Sequence, residues 1–234
     1  MALLLHIETA TKVCSIALSN ENEIIGIKET NEQKSCSNVI TVFINDLLIE
    51  NEINPKELDA IVVSQGPGSY TGLRIGVSTA KGLCYSLDKP LIAINTLESM
   101  ANGIIKETEI TKFLLCPMID ARRMEVFTAL FDNQLKQIES TSAKVLDKCS
   151  YLDQLKNNSI IFFGDGCAKF QNLISDNNNA KFIEGYELSA SSMVELALEK
   201  FKKSKFEDVA YFEPFYLKEF KGVKPKQPAT INLK

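Results

Sequence analysis

Residues 66–76 read Gly66-Pro67-Gly68-Ser69-Tyr70-Thr71-Gly72-Leu73-Arg74-Ile75-Gly76, and this stretch decides how the chain folds. It follows an apolar, β-branched run at 60–63 and leads into a helical pattern that continues to about Leu87. A strand, a glycine turn and a helix start in this order often hold phosphates, because backbone N–H groups at a helix N-terminus attract anions. The spacing fits neither the dinucleotide fingerprint nor the Walker loop. It therefore predicts an anion site or a close backbone contact, without naming a ligand.

Length and composition predict an ordinary globular protein. The chain has 234 residues, enough for one large domain or two small ones, with 45% apolar and 24% charged residues. The formal net charge of −4 argues against binding nucleic acid through bulk charge, although it leaves room for a local basic patch. The N-terminus lacks the basic lead and cleavage site of a signal peptide, and no apolar run reaches membrane-spanning length. We therefore predict a cytoplasmic protein.

The numbers and positions of cysteine and histidine limit which metal sites the chain can form. Six cysteines are spread along the chain without a CxxC pair, and we expect a structural role for each. Cys14 and Cys116 lie in apolar runs that predict strands, where a reduced thiol acts as a small hydrophobe. The single histidine, His6, lies in the first predicted strand, which leaves no two-histidine metal site. The sequence thus predicts no metal site and argues against a metalloprotease.

The two halves of the chain share one order of elements. In the first half an apolar run, an acidic turn and a second apolar run follow one another at 3–7, 8–11 and 13–18. In the second half the same three features recur at 114–119, 120–123 and 126–131. A later apolar run that ends on glycines follows in each half, at 61–68 and 160–166. The repetition predicts duplicated α/β halves, and the alternative is two unrelated hairpins.

The first predicted helix is apolar over a wide arc. It begins at Ser37 or Asn38 and runs to about Asn51. At 100° per residue its apolar side chains cover roughly 260°, far more than packing on one sheet requires. They are Val39, Ile40, Val42, Phe43, Ile44, Leu47 and Ile49. The excess indicates a second burial partner, which is either another element of this chain or another protein.

The second predicted helix, over 71–87, contains Gly76 and Gly82. Each glycine costs about 1 kcal/mol relative to alanine, so a packing requirement should offset the cost.

A later helix is predicted over 189–203, followed by a tail rich in lysine and proline from Lys221. The tail is either a flexible end or a basic contact for RNA or an acidic partner.

Four segments together point to a family. They are the first acidic turn, the glycine stretch with its helix, the second acidic turn and a C-terminal motif: His6–Thr11, Gly66–Leu83, Ile119–Val126 and Pro214–Lys218. Through them the chain resembles the TsaB (YeaZ) family of bacterial tRNA threonylcarbamoyladenosine biosynthesis proteins, in the glycoprotease-like branch of the actin/hexokinase/Hsp70 superfamily. The resemblance is close over the N-terminal half and loose over the C-terminal half, and the glycine stretch is its most specific part.

The resemblance implies an α/β fold of two tandem RNase H-like (actin-like ATPase) subdomains, each a mixed sheet flanked by helices. The expected subdomains are 1–103 and 104–211, with the segment from about 212 to 234 packing back on the first. The resemblance also implies a non-catalytic scaffold for the catalytic paralogue TsaD. With the ATPase TsaE, that complex transfers a threonylcarbamoyl group from its adenylate to adenosine 37 of tRNAs reading ANN codons.

The resemblance further implies a partner surface on the first two helices, because the family pairs through them. The expected interface residues are Val39, Val42, Phe43, Asp46, Leu73, Val77 and Leu83. We expect the chain alone to form a homodimer through the same surface. TsaE is expected to join through the complex, and tRNA contact is expected to be indirect.

Departures from the superfamily pattern argue against catalysis and tight nucleotide binding. Thr96 and Met100 stand where TsaD-like chains carry the two histidines of an H-x-x-x-H metal motif. Glu8 and Ala10 replace the usual aspartate and glycine of the first phosphate turn, and Cys36 replaces a histidine common in the family. We therefore expect no cofactor. A vestigial nucleotide or anion site would be formed by Glu8, Thr9, Thr11, Gly66, Gly68, Ser69, Thr71, Gly72 and Asp120.

The alternative is an active member of the superfamily. It would be an ATPase or small-molecule kinase that uses Glu8, Thr11 and Asp120 around Mg²⁺-ATP.

Three arginines have open assignments. Arg74 either holds a phosphate or forms a salt bridge to Glu98 or Asp120. Arg122 and Arg123 either contact tRNA or face solvent, and the sequence does not decide between these roles.

Overall fold

The computed structural model of the chain describes residues 1–31, 36–107, 113–174 and 177–218. The first half contains β1 Leu3–Glu8, β2 Cys14–Asn20, β3 Glu23–Thr30, α1 Cys36–Glu50, β4 Ala60–Gly66, α2 Tyr70–Leu87, β5 Leu91–Asn95 and α3 Thr96–Glu107. The second half contains β6 Phe113–Asp120, β7 Glu125–Phe131, β8 Gln137–Val145, α4 Leu152–Asn157, β9 Ser159–Phe163, α5 Cys167–Gln171, β10 Ala180–Ile183 and α6 Val194–Lys202. Short 3₁₀ helices lie at Pro55–Glu57 and Ala190–Met193.

Each half forms a five-stranded mixed sheet, and the two sheets have the same strand order. The first sheet has the order β3-β2-β1-β4-β5, and the second has β8-β7-β6-β9-β10. In both, the first three strands form an antiparallel meander. The last two strands run parallel to the first. This is the duplicated plan that the repeated run-turn-run pattern predicts, so the predicted fold class is confirmed.

Alternating side chains explain why the first sheet is covered on both faces. Leu5 and Ile7 of β1 belong to the core shared with α1 and α2. Leu4 of β1 and Val62 of β4 belong to a second core on the opposite face, which includes Met193 of the 3₁₀ helix. Successive residues of a strand point to opposite faces, so a strand buried on both faces must be apolar throughout. The continuous apolar runs in the sequence meet this requirement.

Two helices cross between the halves. α3 follows the first sheet in the chain, but its Leu97, Met100 and Ile104 belong to the core of the second sheet. α6 follows the second sheet, but its Ala197 and Leu198 pack on the first. Each half therefore covers a face of the other. The expected boundary between residues 103 and 104 falls inside α3, and the division into subdomain ranges stays a prediction.

Residues 208–218 form a segment, here called the strap, that crosses α2. Lys81 of α2 donates from Nζ to two strap carbonyl oxygens, at 3.1 Å to Ala210 and 3.0 Å to Phe212. The backbone N–H of Phe215 donates to the carbonyl oxygen of Gln65 at 2.7 Å. The strap then reaches the second half, where Lys218 forms an ion pair with Glu125. These contacts hold the start of the expected 212–234 segment against α2 and the end of β4.

One pair of cysteines differs from the prediction. Cys14 at the start of β2 and Cys36 at the start of α1 form a disulfide, with their Cα atoms 5.5 Å apart. The expectation of a reduced thiol at Cys14 is therefore wrong, because α1 packs on the sheet beside β2 and brings the two residues together. Cys116 is a buried free thiol, and burial raises its pKa to about 12.

None of the described helices is both long and apolar enough to cross a membrane. Residues 219–234, which include the lysine- and proline-rich tail from Lys221, lie outside the described residues.

Candidate functional site

The glycine stretch forms the turn between β4 and α2. Ser69 is the N-cap of α2, and its Oγ accepts a hydrogen bond from the N–H of Gly72 at 3.2 Å. Thr71 is exposed on the first turn of the helix. One of the N–H groups that would face an anion at this helix start is thus used within the turn itself.

The first acidic turn lies directly against this loop. The carbonyl oxygen of Ala10 accepts from the N–H of Ser69 at 2.7 Å, and Oγ1 of Thr9 donates to the carbonyl oxygen of Gly72 at 2.8 Å. A Cβ at Gly68 would lie 2.4 Å from the Ala10 oxygen, and one at Gly72 would lie 2.0 Å from the Thr9 oxygen. Only glycine allows this approach. The glycines were predicted to serve either an anion site or a close backbone contact. The distances show a close backbone contact, which is made with the first acidic turn of the same chain.

The strap closes the loop from the other side. Gly66 has a φ of +109°, and a Cβ there would lie 2.8 Å from the carbonyl oxygen of Phe215. The ring of Tyr216 packs on that of Tyr70, with centroids 4.8 Å apart. The glycine loop is therefore enclosed by two segments of its own chain.

Glu8 ends β1 beneath this contact. Its side chain is fully buried, Oε1 accepts from the N–H of Ala10 at 2.6 Å, and Oε2 has no partner among the described atoms. Burial raises the pKa of Glu8 from 4.5 to about 7, although the hydrogen bond from the N–H of Ala10 lowers it in part. The fully buried carboxyl group of Glu8 offers no solvent-accessible oxygen to a Mg²⁺ ion.

Asp120 ends β6 in the second half. Its Oδ1 accepts hydrogen bonds from Nζ of Lys169 at 2.6 Å and from the N–H of Arg122 at 2.5 Å. Partial burial opposes ionisation, but these two hydrogen bonds outweigh it and lower the pKa of Asp120. The carboxylate charge is thus balanced by Lys169 within the chain.

The residues expected to form a nucleotide or anion site are only partly brought together. Thr9, Gly68, Ser69 and Gly72 meet in one contact. Asp120 belongs to the other half, at the end of β6, and lies close enough to Lys12 of the facing turn for its charge to be affected. Oγ1 of Thr11, which the enzyme alternative needs, is buried without a partner among the described atoms. The arrangement does not fit a Mg²⁺-nucleotide, because Glu8 is buried and the closest approach to the loop is made by the chain's own turn.

Thr96 and Met100 occupy the positions of the two expected metal-binding histidines. Both side chains are buried, and Met100 belongs to the core of the second half. Within the described ranges, no group of three or more His, Cys, Asp and Glu side chains is placed to hold a metal ion. The local chemistry is that of a packed core.

The wide apolar arc of α1 is only partly covered by the chain. Four positions face the sheet and are buried: Ile40, Ile44, Leu47 and Leu48. Val42 and Ile49 are 51% and 67% exposed, while Val39 and Phe43 are half-buried at the edge of the core. No other described element covers Val42 and Ile49, so the second burial partner indicated by the sequence is not found within the described chain.

Two of the expected interface residues are misplaced. Leu73 and Val77 are buried in α2, on the same side as Ala80 and Cys84, and that side faces the sheet. The prediction that Leu73 and Val77 contact a partner is therefore wrong. Val42 is exposed, whereas Val39, Phe43, Asp46 and Leu83 are half-buried, and their contact with a partner stays a prediction.

Sequence reasoning missed two features of the outer side of α2. Tyr85 is 88% exposed. A Cβ at Gly82 would meet nothing within 4 Å, whereas a Cβ at Gly76 would lie 2.3 Å from Oγ1 of Thr9. The packing requirement expected for Gly82 is thus not met inside the described chain. A helical wheel centred on Ala80 and Cys84 places Gly82 on the opposite side of α2, so the sequence contained the information that Gly82 faces away from the sheet.

The loop between β6 and β7 exposes two arginines. Arg122 and Arg123 have φ values of 71° and 52°, in the left-handed region that favours glycine and asparagine. Arg74 is also exposed, with Cζ 5.7 Å from the ring centroid of Tyr70. The salt bridge considered for Arg74 is not among the described ion pairs, since Asp120 pairs with Lys169.

Comparison with known proteins places the chain in a family. A family model described as TsaD: tRNA N6-adenosine threonylcarbamoyltransferase matches residues 12–225. The tRNA threonylcarbamoyladenosine biosynthesis protein TsaB of Bacillus subtilis is 33% identical over 177 residues, which cover 74% of this chain and 75% of the relative. The protein of the same name from Escherichia coli is 28% identical over 222 residues, covering 92% of this chain and 94% of the relative. The chain belongs to the TsaB family.

A solved structure agrees with the architecture of this TsaB-family chain. YeaZ from Pseudomonas aeruginosa matches it with a TM-score of 0.79 at 22% identity, covering 93% of this chain and 100% of that one. At this level of identity the likeness shows the fold alone. It is the two-sheet fold that the repeated pattern of the sequence predicts.

Two glycines of α2 make a matched test of the closed loop. In Gly72→Ala, the added methyl group meets the backbone of Thr9, and we expect a loss of about 2–3 kcal/mol in the free energy of unfolding. In Gly82→Ala, the methyl group enters open space and improves helix propensity, so we expect a gain of about 1 kcal/mol. Urea denaturation measures both, and equal effects of the two substitutions would contradict the contact.

The raised pKa of Glu8 predicts that the folded protein loses stability as the pH rises. Its pKa is about 7 when folded and near 4.5 when unfolded, so the folded state holds the proton more tightly. The stabilisation is complete below pH 4.5 and is lost as the pH rises through 7. Between pH 5 and 8 the free energy of unfolding should fall by about 2–3 kcal/mol through this group.

Urea titrations of the wild type and Glu8→Gln across this pH range measure the effect. The glutamine stays neutral, so this contribution to the pH dependence should disappear. Glu23→Gln removes an exposed carboxylate of β3 as a control and should leave the pH dependence unchanged. Parallel profiles for the wild type and Glu8→Gln would rule out the raised pKa.

Proposed function

We propose that this chain is the non-catalytic subunit of the complex that forms N6-threonylcarbamoyladenosine at position 37 of ANN-decoding tRNAs, and that it binds and stabilises the catalytic paralogue TsaD. Membership of the TsaB family supports the pathway. One structural observation supports the role of binding subunit: the described chain leaves Val42 and Ile49 of α1 uncovered.

The exposed side chains suit a protein partner. Burying a valine or isoleucine side chain contributes about 1.5–3 kcal/mol. Tyr85, on the neighbouring helix, is of a type enriched among residues that dominate binding energy. Gly82 leaves space for a partner to approach the α2 backbone closely. Asp46, half-buried on α1, provides a charged edge to this apolar surface.

The same surface would pair two copies of the chain when TsaD is absent. A stable dimer buries on the order of 1,600 Å² in total, which α1 and α2 of two chains can supply. Homodimer and heterodimer then compete for one surface, so adding TsaD should dissociate the homodimer. TsaE joins through TsaD in this arrangement.

We also propose that the isolated chain needs no nucleotide. Glu8 is buried and partly neutral, and Asp120 is paired with Lys169, so the carboxylates of the enzyme alternative are already engaged. In calorimetry, Mg²⁺-ATP should produce no heat beyond dilution. Micromolar binding would instead favour an ATPase or small-molecule kinase.

Reconstitution with each component omitted tests the proposed function. The mixture contains the host's TsaD and TsaE, an unmodified ANN-decoding tRNA and threonylcarbamoyl-adenylate, with or without this chain. We expect modification to depend on the chain. Full modification in its absence would refute the proposed role.

Val42→Asp tests the surface in the same assay. The substitution places a charge in the apolar interface, and we expect TsaD binding to weaken by about 30-fold or more, with tRNA modification reduced in parallel. The melting temperature should not change, because Val42 is exposed in the isolated chain. Val145→Asp is the matched control, since Val145 is 67% exposed on β8 of the other half. Equal TsaD binding by the two variants would exclude the α1 surface.

A further inference from the structure

The two arginines between β6 and β7 hold a backbone conformation that arginine disfavours. Arg122 and Arg123 both have positive φ, which asparagine and glycine adopt with little strain. Their side chains are exposed, and neither forms an ion pair with a described carboxylate. Residues in disfavoured backbone regions concentrate at functional sites, where the side chain has a use that offsets the strain. The fold and the proposed partner surface on α1 make no use of these side chains.

The surroundings of this loop are basic, although the whole chain carries a formal net charge of −4. Two of the nearby carboxylates form ion pairs, Asp120 with Lys169 and Glu125 with Lys218, and Asp165 accepts a hydrogen bond from the N–H of Asp120. Lys12, exposed on the facing turn of the first half, lies close enough to Asp120 to lower its pKa. Arg122, Arg123 and Lys12 are therefore exposed positive charges that take no part in these two ion pairs.

Aromatic side chains lie at the same edge of the molecule. The rings of Tyr70 and Tyr216, tilted by 34° to each other, are partly exposed, and the guanidinium group of Arg74 lies over Tyr70. The strap connects this ring pair to the arginine loop, because Lys218 pairs with Glu125 at the start of β7 two residues after Tyr216. The carboxyl ends of β4 and β6 therefore present a row of cations with aromatic rings beside it.

We propose that this edge binds RNA directly, with Arg122, Arg123 and Lys12 on backbone phosphates and the Tyr70–Tyr216 ring pair against an unpaired base. Cations that contact phosphates give affinity without reading sequence, and aromatic rings stack on bases in loops and single strands. The inference rests on the proposed function, which supplies a tRNA as the RNA. It replaces the expected indirect contact with a direct one.

Binding of a labelled, unmodified transcript of an ANN-decoding tRNA to the full chain tests the proposal. The measurement is fluorescence anisotropy between 50 and 200 mM salt. The variant Arg122→Asn with Arg123→Gly removes two charges and gives the loop residues that accept positive φ. We expect affinity to fall about tenfold and the slope of log K against log salt to decrease by about 1 to 2. The melting temperature should stay the same or rise, so unfolding cannot account for the loss.

A matched control removes the same charge elsewhere. Lys56 and Lys205 are exposed near the amino ends of β4 and β5, at the opposite edge of the first sheet. Lys56→Asn with Lys205→Asn should leave tRNA binding unchanged. If both double variants lost the same tRNA affinity, binding would depend only on the net charge of the protein, and the proposal would be overturned. Wild-type levels of binding by the arginine variant, or no tRNA binding by the wild type at 50 mM salt, would also overturn it.

Two further comparisons identify the partner and separate this proposal from the proposed function. Tyr216→Ala should weaken binding of the tRNA more than binding of duplex DNA, because only the tRNA offers unpaired bases. Polyglutamate that competes as well as the transcript would indicate an acidic protein and overturn the assignment to RNA. The arginine variant should still bind TsaD, whereas Val42→Asp should lose TsaD and still bind tRNA. Failure of one surface is therefore distinguishable from failure of the other.

Discussion

The contact between the glycine loop and the first acidic turn determines how the first half is arranged. The backbone of Thr9 and Ala10 lies so close to Gly68 and Gly72 that no other residue fits at those two positions. This contact starts α2 directly against the end of β1, so the buried side of the helix is fixed by the turn as well as by its apolar residues. The carbonyl oxygens of Thr9 and Ala10 lie directly beside these glycines.

The two helices α1 and α2 form a layer that is packed on its inner side and uncovered on its outer side. The inner side of α2 is complete, with its small and apolar residues packed on β1 and β4. α1 is held beside it by its own buried stripe and by the Cys14–Cys36 disulfide at its first residue. Side chains that point away from the sheet, such as Val42, Ile49 and Tyr85, then have no described element left to cover them. A helix layer that is fixed on the inside and apolar on the outside is suited to binding another protein without rearrangement.

The sequence was sufficient for the duplicated plan of two α/β halves and insufficient for the orientations of the helices. Runs and turns repeated in the same order give the same strand order twice, because each turn position is a local property of the chain. The arc of α1 gave the amount of excess apolar surface, but a wheel does not say which part of the arc faces the sheet. Leu73 and Val77 of α2 were expected at the interface because the family pairs through its first two helices, and the fold buries them instead. Nothing local in α3 or α6 states which sheet each helix covers, since both are amphipathic and either sheet would accept them. The disulfide depends on a tertiary approach between Cys14 and Cys36, which their spacing in sequence does not encode.

The arginine loop is a basic region on an acidic chain, and this contrast would direct an RNA to one edge of the protein. On an acidic chain most of the surface repels RNA, so a small basic edge fixes where and in which orientation an RNA can approach. The edge lies at the carboxyl ends of β4 and β6, whereas the exposed apolar residues lie on α1, which covers one face of the first sheet. A protein bound on α1 and an RNA bound at the strand ends would therefore contact different surfaces at the same time. In the proposed function, this separation would let the chain hold an RNA and a catalytic partner protein side by side.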